Sequence, residues 1–366
     1  MFSQLYPEFD YYWQFEFDAR MIGHAYHFID QSIQFAKKQP RKHLWERNAY
    51  FYTPGAHGTW KQFSEMVSKA MNGRDGVWGP VSLNGRSKIG GVAPIGPKPP
   101  VSSPQEDNYE WGVGEEPDLI TFLPIFDSMR TSWTMPWRLY GPLPKDAPRR
   151  ASVLTQWRVS KRLLDVMHSA LKNEGLAYVS EMSAPSFSLL HGLKAVYVPH
   201  PIYLDGQWTD KEIGHHYNQG PAYRMNGNWD SIWNWNHLMD HIMYRTTYMF
   251  SSQAGEDLFR RWMGYPVDGN QVNEPWVVSR DDVTLLLPSF LLTYVHSTPM
   301  RNNGYGSKEV SWYVQYPSCE TITLKLTAGQ NEPQYGRLCY PAVMLHPIKN
   351  ANPQRGGDLA VPNNRC

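Results

Sequence analysis

Two carboxylates, Glu16 and Asp18, stand two residues apart at the end of an aromatic run. Five of the seven residues at 11–17 are aromatic, which predicts a strand that is buried on both faces. Ligands bind at the carboxyl ends of strands in open α/β sheets, and strand residues two apart project to the same side. The spacing therefore predicts that both acids hold one Mg²⁺ or Mn²⁺ ion, which prefers oxygen ligands. Solvated acids at the start of a loop are the alternative interpretation.

A fixed positive charge follows the two acids. Arg20 lies two residues beyond Asp18, and a guanidinium suits a diphosphate because its planar donors match phosphate oxygens. We assign Arg20 and Trp13 of the aromatic run to cofactor binding.

Two later residues bear on the same chemistry. Glu181 opens a segment that Gly192 closes, so it lies at the N-terminus of a predicted helix. There it is either a first-turn acid that the helix dipole favours or a base that faces a pocket. His346 follows an apolar run and is either a buried histidine or a metal ligand.

The composition is that of a folded protein with an excess of aromatic rings. The chain has 366 residues, of which 41% are hydrophobic and 19% charged, enough for one large domain or two ordinary ones. A formal net charge of +1 and the lack of a long Lys/Arg run argue against non-specific nucleic-acid binding. The 15 Trp and 22 Tyr predict either stacking platforms for sugars or a Trp-rich core.

The cysteines and the apolar runs bear on zinc binding, disulfide formation and membrane insertion. The three cysteines, Cys319, Cys339 and Cys366, form no CxxC pair, so a zinc site is not indicated. A Cys319–Cys339 disulfide would require an oxidising compartment. The sequence has no run of eighteen apolar residues, and residues 1–6 lack the basic and apolar regions of a signal peptide. We therefore expect no membrane segment in this chain.

Hydrophobic spacing predicts alternating helices and strands. Helices are expected at 26–37, 62–71, 151–172 and from Glu181 to Gly192, and strands at 11–17, within 115–122 and at 193–198. Residues 73–114 are rich in Gly, Pro and Ser and lose all periodicity, which indicates a long surface loop or insertion.

A later stretch mixes indole rings with amides. It comprises Asn226, Asn228, Trp229, Trp233, Asn234, Trp235, Asn236 and His237. Alternating amides and indoles could line a polyol site, and they could equally form a loop that is packed by its own aromatic rings.

Several blocks in order along the chain carry a family resemblance. They are Pro7-Glu8-Phe9-Asp10-Tyr11-Tyr12-Trp13, Glu16, Asp18, Arg20, Gly23-His24, Leu44-Trp45-Glu46-Arg47-Asn48, His57-Gly58, Trp60, Trp78-Gly79-Pro80, Glu116, Asp118-Leu119-Ile120-Thr121-Phe122, Ser180-Glu181-Met182, His191-Gly192-Leu193-Lys194-Ala195-Val196-Tyr197, Pro199-His200-Pro201 and Leu345-His346-Pro347-Ile348-Lys349. In these blocks the chain resembles the fungal proteins that share domain of unknown function 3405, whose members resemble glycosyltransferases of the A fold type.

The resemblance implies a fold, a reaction and a set of roles. The fold is an α/β, Rossmann-like A-type domain with a mostly parallel sheet, and the substrates are a nucleotide-sugar donor and a glycan acceptor in the Golgi or secretory-pathway lumen. Carried across, Glu16 and Asp18 hold a Mn²⁺ or Mg²⁺ ion on the donor diphosphate. Glu181 takes the position of the general base, and His346 is a candidate third metal ligand for which His200 competes.

The acidic motif comes early in this chain. In the A-type fold the strands that grip the nucleoside precede this motif, which here arrives at residue 16. We therefore expect a partial domain that lacks its N-terminal nucleotide-binding strands, from a truncated chain whose family parent carries an N-terminal membrane anchor.

The same comparison of blocks predicts the domain organisation. Residues 1–277 form the glycosyltransferase-like domain, with 73–114 as its loop insertion. Residues 278–333 match no family block and are interpreted as an insertion, and 334–366 return to the same domain and end in a polar tail.

The function predicted from the sequence is a metal-dependent transfer of a sugar from a nucleotide-sugar to a glycan. The alternative is a non-catalytic carbohydrate-binding or structural protein on the same scaffold, or an inactive truncated fragment. In that alternative the cluster of indoles and amides at 226–237 forms the binding surface.

Overall fold

A computed structural model describes most of the first 218 residues. The described residues are 2–200 apart from 84–87, 131–138, 141–142, 145 and 154–155, then 202–204, 208–218, 246–247, 255–256, 259, 294–296 and 343–345. The chain divides into two compact units. The first comprises Met1–Glu16, Asp30–Pro199 and Thr209–Asp240, and the second comprises Phe17–Ile29, His200–Trp208 and His241–Cys366.

Helices and strands alternate along the described part. The helices are α1 Phe2–Leu5, α2 Ala25–Lys37, α3 Leu44–Asn48, α4 Pro54–His57, α5 Trp60–Ala70, α6 Lys161–Glu174, α7 Ser180–His191 and α8 Asp210–Asn218. The strands are β1 Tyr11–Phe15, β2 Arg20–Ile22, β3 Leu119–Thr121, β4 Phe126–Asp127, β5 Leu139–Tyr140, β6 Arg150–Ala151, β7 Gln156–Ser160, β8 Ala177–Tyr178, β9 Ala195–Tyr197, β10 Ile202–Leu204, β11 Tyr294–His296 and β12 Val343–Leu345.

The main sheet of the first unit has four described strands in the order β1-β7-β3-β9. Strand β7 pairs antiparallel with both β1 and β3, and β3 pairs parallel with β9. Strands β1, β3 and β9 therefore run in one direction and β7 runs in the other. The predicted α/β class with parallel strands is confirmed, but the sheet is mixed, and the only parallel pairing among its described strands is that of β3 with β9.

Strand β1 is present as predicted, but it is not buried on both faces. It lies at the end of the described strand order, and Phe15 near its end is 41% exposed. Among the described strands β1 pairs only with β7, and its five residues are half-buried or exposed. The aromatic run therefore predicted a strand correctly and its surroundings wrongly.

The segment predicted as one helix over 151–172 divides into a strand and a helix. Trp157, which the spacing assigned to the predicted helix, instead lies in β7 and alternates there with its neighbours. Ser160 then ends the strand and caps α6, because its side chain accepts a hydrogen bond from the backbone N–H of Leu163. By contrast, the predicted helices at 26–37 and 181–192 are confirmed as α2 and α7, and the strand at 193–198 as β9.

A buried carboxylate fastens one edge of this sheet. Asp118, just before β3, accepts hydrogen bonds from the hydroxyl of Ser160 at 2.7 Å and from the guanidinium of Arg162. The backbone of Asp118 bonds to Ser160 and to Lys194. The start of β3, the end of β7 and the approach to β9 are therefore held together by one residue.

Asn48 hydrogen-bonds with its side chain to the backbone of β9. Its amide nitrogen donates to the carbonyl of Ala195 at 2.8 Å, and its amide oxygen accepts from the backbone N–H of Tyr197 at 2.9 Å. These are the bonds that a neighbouring strand would make. Since Asn48 is 2% exposed, water cannot replace them.

The glycine- and proline-rich segment 73–114 is irregular but well attached. It contains the isolated bridge between Ile89 and Val92 and one short 3-10 helix, Pro104–Glu106. Backbone bonds join Val81 to Leu189 and Gly96 to His191 at the end of α7. The segment therefore packs along α7, which leads directly into β9.

In the second unit, two pairs of short strands are described. Strand β2 pairs antiparallel with β12, and β10 pairs parallel with β11. The predicted insertion at 278–333 lies outside the described residues apart from 294–296, and so does the indole and amide cluster at 226–237. Among the helices that the structure describes, none is both long and apolar enough to cross a membrane.

Replacing Asn48 tests the role given to its side chain. In Asn48→Ala, two buried backbone groups of β9 lose their partners at about 1–3 kcal/mol each. We expect the free energy of unfolding to fall by about 3 kcal/mol, measured by denaturant titration. Asn72→Ala, at an exposed position after α5, is the control and should leave stability unchanged. Equal stability of the two variants would contradict this assignment.

Candidate functional site

The carboxyl ends of β1, β3 and β9 meet at one edge of the main sheet, because these strands share one direction. Glu16 follows β1 directly and is half-buried. The ring of Trp13 on β1 stacks on Phe122, which follows β3, with centroids 6.2 Å apart. This contact joins the end of β1 to the end of β3 and places Glu16 at their common edge.

Glu181 reaches the same edge by another route. It lies in the first turn of α7, half-buried, and its backbone carbonyl accepts a hydrogen bond from the N–H of Ser152 at 2.9 Å. The Ser152 hydroxyl in turn donates to the carbonyl of Leu123, two residues after β3, at 3.1 Å. Two hydrogen bonds therefore connect Glu181 to the carboxyl end of β3.

The side chain of Glu181 has a defined partner. Its Oε2 accepts a hydrogen bond from the hydroxyl of Ser180 at 2.7 Å. A carboxylate at a helix N-terminus is also favoured by the helix dipole. The structure is therefore compatible with both interpretations given above, a first-turn acid and a base at a site.

Trp13 packs as part of a short stack of rings. Its ring lies nearly parallel to Phe15, at 5.8 Å and 9°, and to Phe122, at 6.2 Å and 18°. Stacking fixes the orientation of the ring in the middle of β1. Trp13, Glu16 and Glu181 are thus the predicted site residues that the first unit brings to one edge.

Asp18 and Arg20 belong to the second unit. Arg20 forms an ion pair with Glu256 at 3.7 Å, and its guanidinium lies 5.6 Å from the ring centre of Phe259. It also donates hydrogen bonds to the carbonyls of Phe17 and Ala19. The turn after β1 is therefore held in part by the cation that was predicted to meet a diphosphate.

Of the two candidate histidine ligands, His200 is among the described residues. His346 lies outside the described residues. His200 is buried in the second unit, and Phe28 meets its ring edge-on at 5.9 Å.

The residues that could hold a divalent cation are Glu16 and Asp18. Across the described part of the chain, no group of three or more His, Cys, Asp and Glu side chains is arranged as a metal site. Mg²⁺ usually takes only one or two protein carboxylates and completes its shell with water and phosphate oxygens. Glu16 lies in the first unit and Asp18 in the second, so a cation shared by the two stays a prediction.

Other acids of the recognised blocks serve the structure instead. Glu116 is paired with Lys37 and Arg158, and Glu115 makes a bidentate pair with Arg41 at 2.6 Å. The Glu116-x-Asp118 motif has the same spacing as Glu16-x-Asp18, yet it precedes its strand. Position before or after the strand is the signal that separates the two pairs.

His57 is a polar residue to which the sequence assigned no role. The backbone N–H of Thr53 donates to its Nδ1 at 2.9 Å, so a neutral ring carries its proton on Nε2. Burial lowers the pKa of His57 to about 4, which keeps the ring neutral at pH 7. Such a pattern could have been suspected only from the Pro-Gly turn before it.

Two more buried histidines are neutral for the same reason. Burial, aided by the charges of Arg47 and Lys42, lowers the pKa of His43 to about 4. Burial alone lowers the pKa of His191 to about 4, and within the described residues neither of its ring nitrogens has a hydrogen-bond partner.

The comparisons with known proteins identify a family and no activity. A family model described as "Protein of unknown function (DUF3405)" matches residues 1–350. Neither the curated proteins nor the solved structures include a significant match.

The buried histidines predict acid sensitivity. Between pH 6.5 and 4 the unfolded chain binds protons that the folded chain excludes, so stability falls as the pH falls, by up to about 1.4 kcal/mol per pH unit for each histidine. We expect His191→Leu to flatten this dependence and to be more stable than the parent chain at pH 5. Denaturant titrations from pH 4 to 7 measure both.

Asn72→Ala, at an exposed position, provides the control for this experiment. It should keep the pH dependence of the parent chain, since the substitution removes no titratable group. A parallel pH dependence in His191→Leu and the parent would show that His191 does not exclude protons.

Proposed function

The chain belongs to the DUF3405 family, and we propose that it is a metal-dependent glycosyltransferase that moves a sugar from a nucleotide-sugar to a glycan. What supports the proposal is that Glu16 directly follows β1, and that the backbone of Glu181 is connected through Ser152 to Leu123, just after the like-directed strand β3. In the proposed transfer one carboxylate binds the metal ion that neutralises the leaving diphosphate. A second carboxylate accepts the proton of the acceptor hydroxyl.

Glu16 and Asp18 are proposed to hold Mn²⁺ or Mg²⁺ against the donor diphosphate. When bound, the cation neutralises the charge that develops on the leaving diphosphate. Arg20 lies in the same turn and adds a guanidinium, which suits phosphate oxygens. Trp13 offers a fixed ring beside this turn for the donor.

Glu181 is proposed to take the proton of the acceptor hydroxyl. Its half-buried position leaves part of the carboxylate accessible, and the hydrogen bond from Ser180 orients one of its oxygens. A carboxylate that accepts a hydrogen bond retains a second oxygen with free lone pairs for the substrate. Removing the proton as the sugar transfers makes the hydroxyl oxygen a stronger nucleophile.

The same proposal places the reaction in the lumen of the Golgi or another secretory compartment, where glycan acceptors occur. It rests on the family resemblance and on the acidic pair.

A second candidate is a non-catalytic carbohydrate-binding protein on the same scaffold. What favours it is that β1 and β7 carry several partly exposed rings. Binding of a glycan that survives Asp18→Ala without any turnover would support this candidate.

Substituting the acids one at a time tests the transferase. With Mn²⁺ and uridine or guanosine diphosphate-sugars, we expect Glu181→Gln to lower turnover by about 10²–10⁴-fold with Mn²⁺ binding intact. Asp18→Asn should instead raise the Mn²⁺ concentration needed for activity. Donor consumption and calorimetric Mn²⁺ titration separate the two effects.

Glu65→Gln is the matched control, because Glu65 is an exposed acid on α5 that pairs with Lys61. It should retain full activity. Turnover that persists in Glu181→Gln, or that is indifferent to Mn²⁺ in the parent chain, would overturn the proposed mechanism.

A further inference from the structure

A cavity of about 410 Å³ lies on one face of the main sheet in the first unit. Strands β1 and β7 form its floor, and α1 and α6 form its walls. The residues that matter for its chemistry are Phe2, Tyr12, Gln14, Phe15, Trp157 and His168. The volume falls in the range of roughly 300–1,000 Å³ that is typical of small-molecule sites.

The register of the sheet places two of these rings beside each other. Tyr12 lies opposite Val159, and Gln14 lies opposite Trp157, so all four side chains share one face. Tyr12 and Trp157 are only half-buried, so their rings remain accessible from the cavity. The floor is therefore an open aromatic surface.

Hydrogen bonds hold this surface in place. The indole N–H of Trp157 donates to Oε1 of Gln14 at 2.6 Å, and the hydroxyl of Tyr12 donates to the carbonyl of Tyr6 at 2.7 Å. Phe2 meets the Tyr12 ring edge-on at 5.9 Å. Because the rings are fixed before any ligand arrives, binding costs little side-chain entropy.

The charge of the lining selects the class of ligand. No Lys, Arg, Asp or Glu is among the described residues that line the cavity. Besides the Tyr12 hydroxyl and the indole N–H groups, its polar side chains are the Gln14 amide, the His168 imidazole and the Ser3 hydroxyl. A phosphate would need a cation and a metal would need acids. Aromatic rings beside neutral donors and acceptors instead suit a ligand with apolar C–H faces and hydroxyl edges.

From this lining we infer that the cavity binds a neutral sugar ring of a glycan, stacked on Trp157 and Tyr12. The Gln14 amide nitrogen is the donor that remains for a sugar hydroxyl, since its oxygen already serves Trp157. Phe15 lines the cavity and Glu16 is the next residue along the chain, so the cavity extends to the carboxyl end of β1. The role of this glycan as the acceptor rests on the proposed function, whereas the binding of a sugar in the cavity does not.

The test measures sugar binding in EDTA and without nucleotide, so that failure of the transferase chemistry cannot affect it. The probes are the methyl glycosides of glucose, mannose, galactose and N-acetylglucosamine. Saturation-transfer NMR identifies the bound sugar, and tryptophan fluorescence gives its dissociation constant. We expect saturable millimolar binding that Trp157→Ala weakens at least tenfold, since the stacking surface is lost.

Gln14→Ala is the second variant, because Gln14 is exposed on the outer strand and its removal leaves the fold intact. It should weaken binding severalfold and decides the matter if Trp157→Ala does not fold. Tyr26→Ala, which removes a 65% exposed ring elsewhere, is the control and should bind like the parent chain.

Two results would overturn the inference. One is that none of the four glycosides binds the folded parent chain at millimolar concentrations. The other is binding that neither Trp157→Ala nor Gln14→Ala weakens relative to Tyr26→Ala. The cavity and the proposed metal ligands are separate if Trp157→Ala loses sugar binding but keeps Mn²⁺ binding. Asp18→Asn should show the opposite pattern, with weaker Mn²⁺ binding and unchanged sugar binding.

Discussion

The buried carboxylate of Asp118 is the interaction on which the main sheet depends. A charge that is 1% exposed is costly unless it is paired and hydrogen-bonded, and here Arg162, Ser160 and the backbone N–H of Lys194 all donate to it. These donors come from the end of β7, the start of α6 and the approach to β9. One carboxylate thereby sets the register of three strands that are distant in sequence.

The two edges of the sheet use charge in opposite ways. At the amino edge of β3 and β9, the acids Glu115, Glu116 and Asp118 are paired with arginines or lysines. Lys194 is buried there, and burial lowers its pKa to about 8. Its amino group donates hydrogen bonds to three backbone carbonyls. The carboxyl edge instead keeps its acids half-buried. Fixing one edge by ion pairs leaves the other available for ligands, as open α/β sheets commonly do.

The sequence predicted those parts of the fold whose signals are local. Helix α7 and strand β9 followed from a first-turn acid, the closing Gly192 and a short apolar run, and each is present. Strand β7 was missed because its alternation is only five residues long and runs directly into a helix. The roles of Glu116 and Asp118 could not be predicted, since Arg158 and Arg162 lie more than forty residues away. Among the site residues, the early position of Glu16 after a strand was visible, whereas the route from Glu181 through Ser152 to Leu123 exists only in the folded chain.

The many aromatic side chains fall into two groups that differ in burial. Tyr50, Tyr52 and Phe63 are enclosed and pack around His57, which is the behaviour of a core. The rings of β1 are different, because they are half-buried or exposed. One face stacks Trp13 on Phe122 toward the end of β3, and the other presents Tyr12 beside Trp157 to the cavity. The rings of β1 therefore have two different surroundings: Trp13 packs against Phe122 on one face, and Tyr12 lines the cavity on the other.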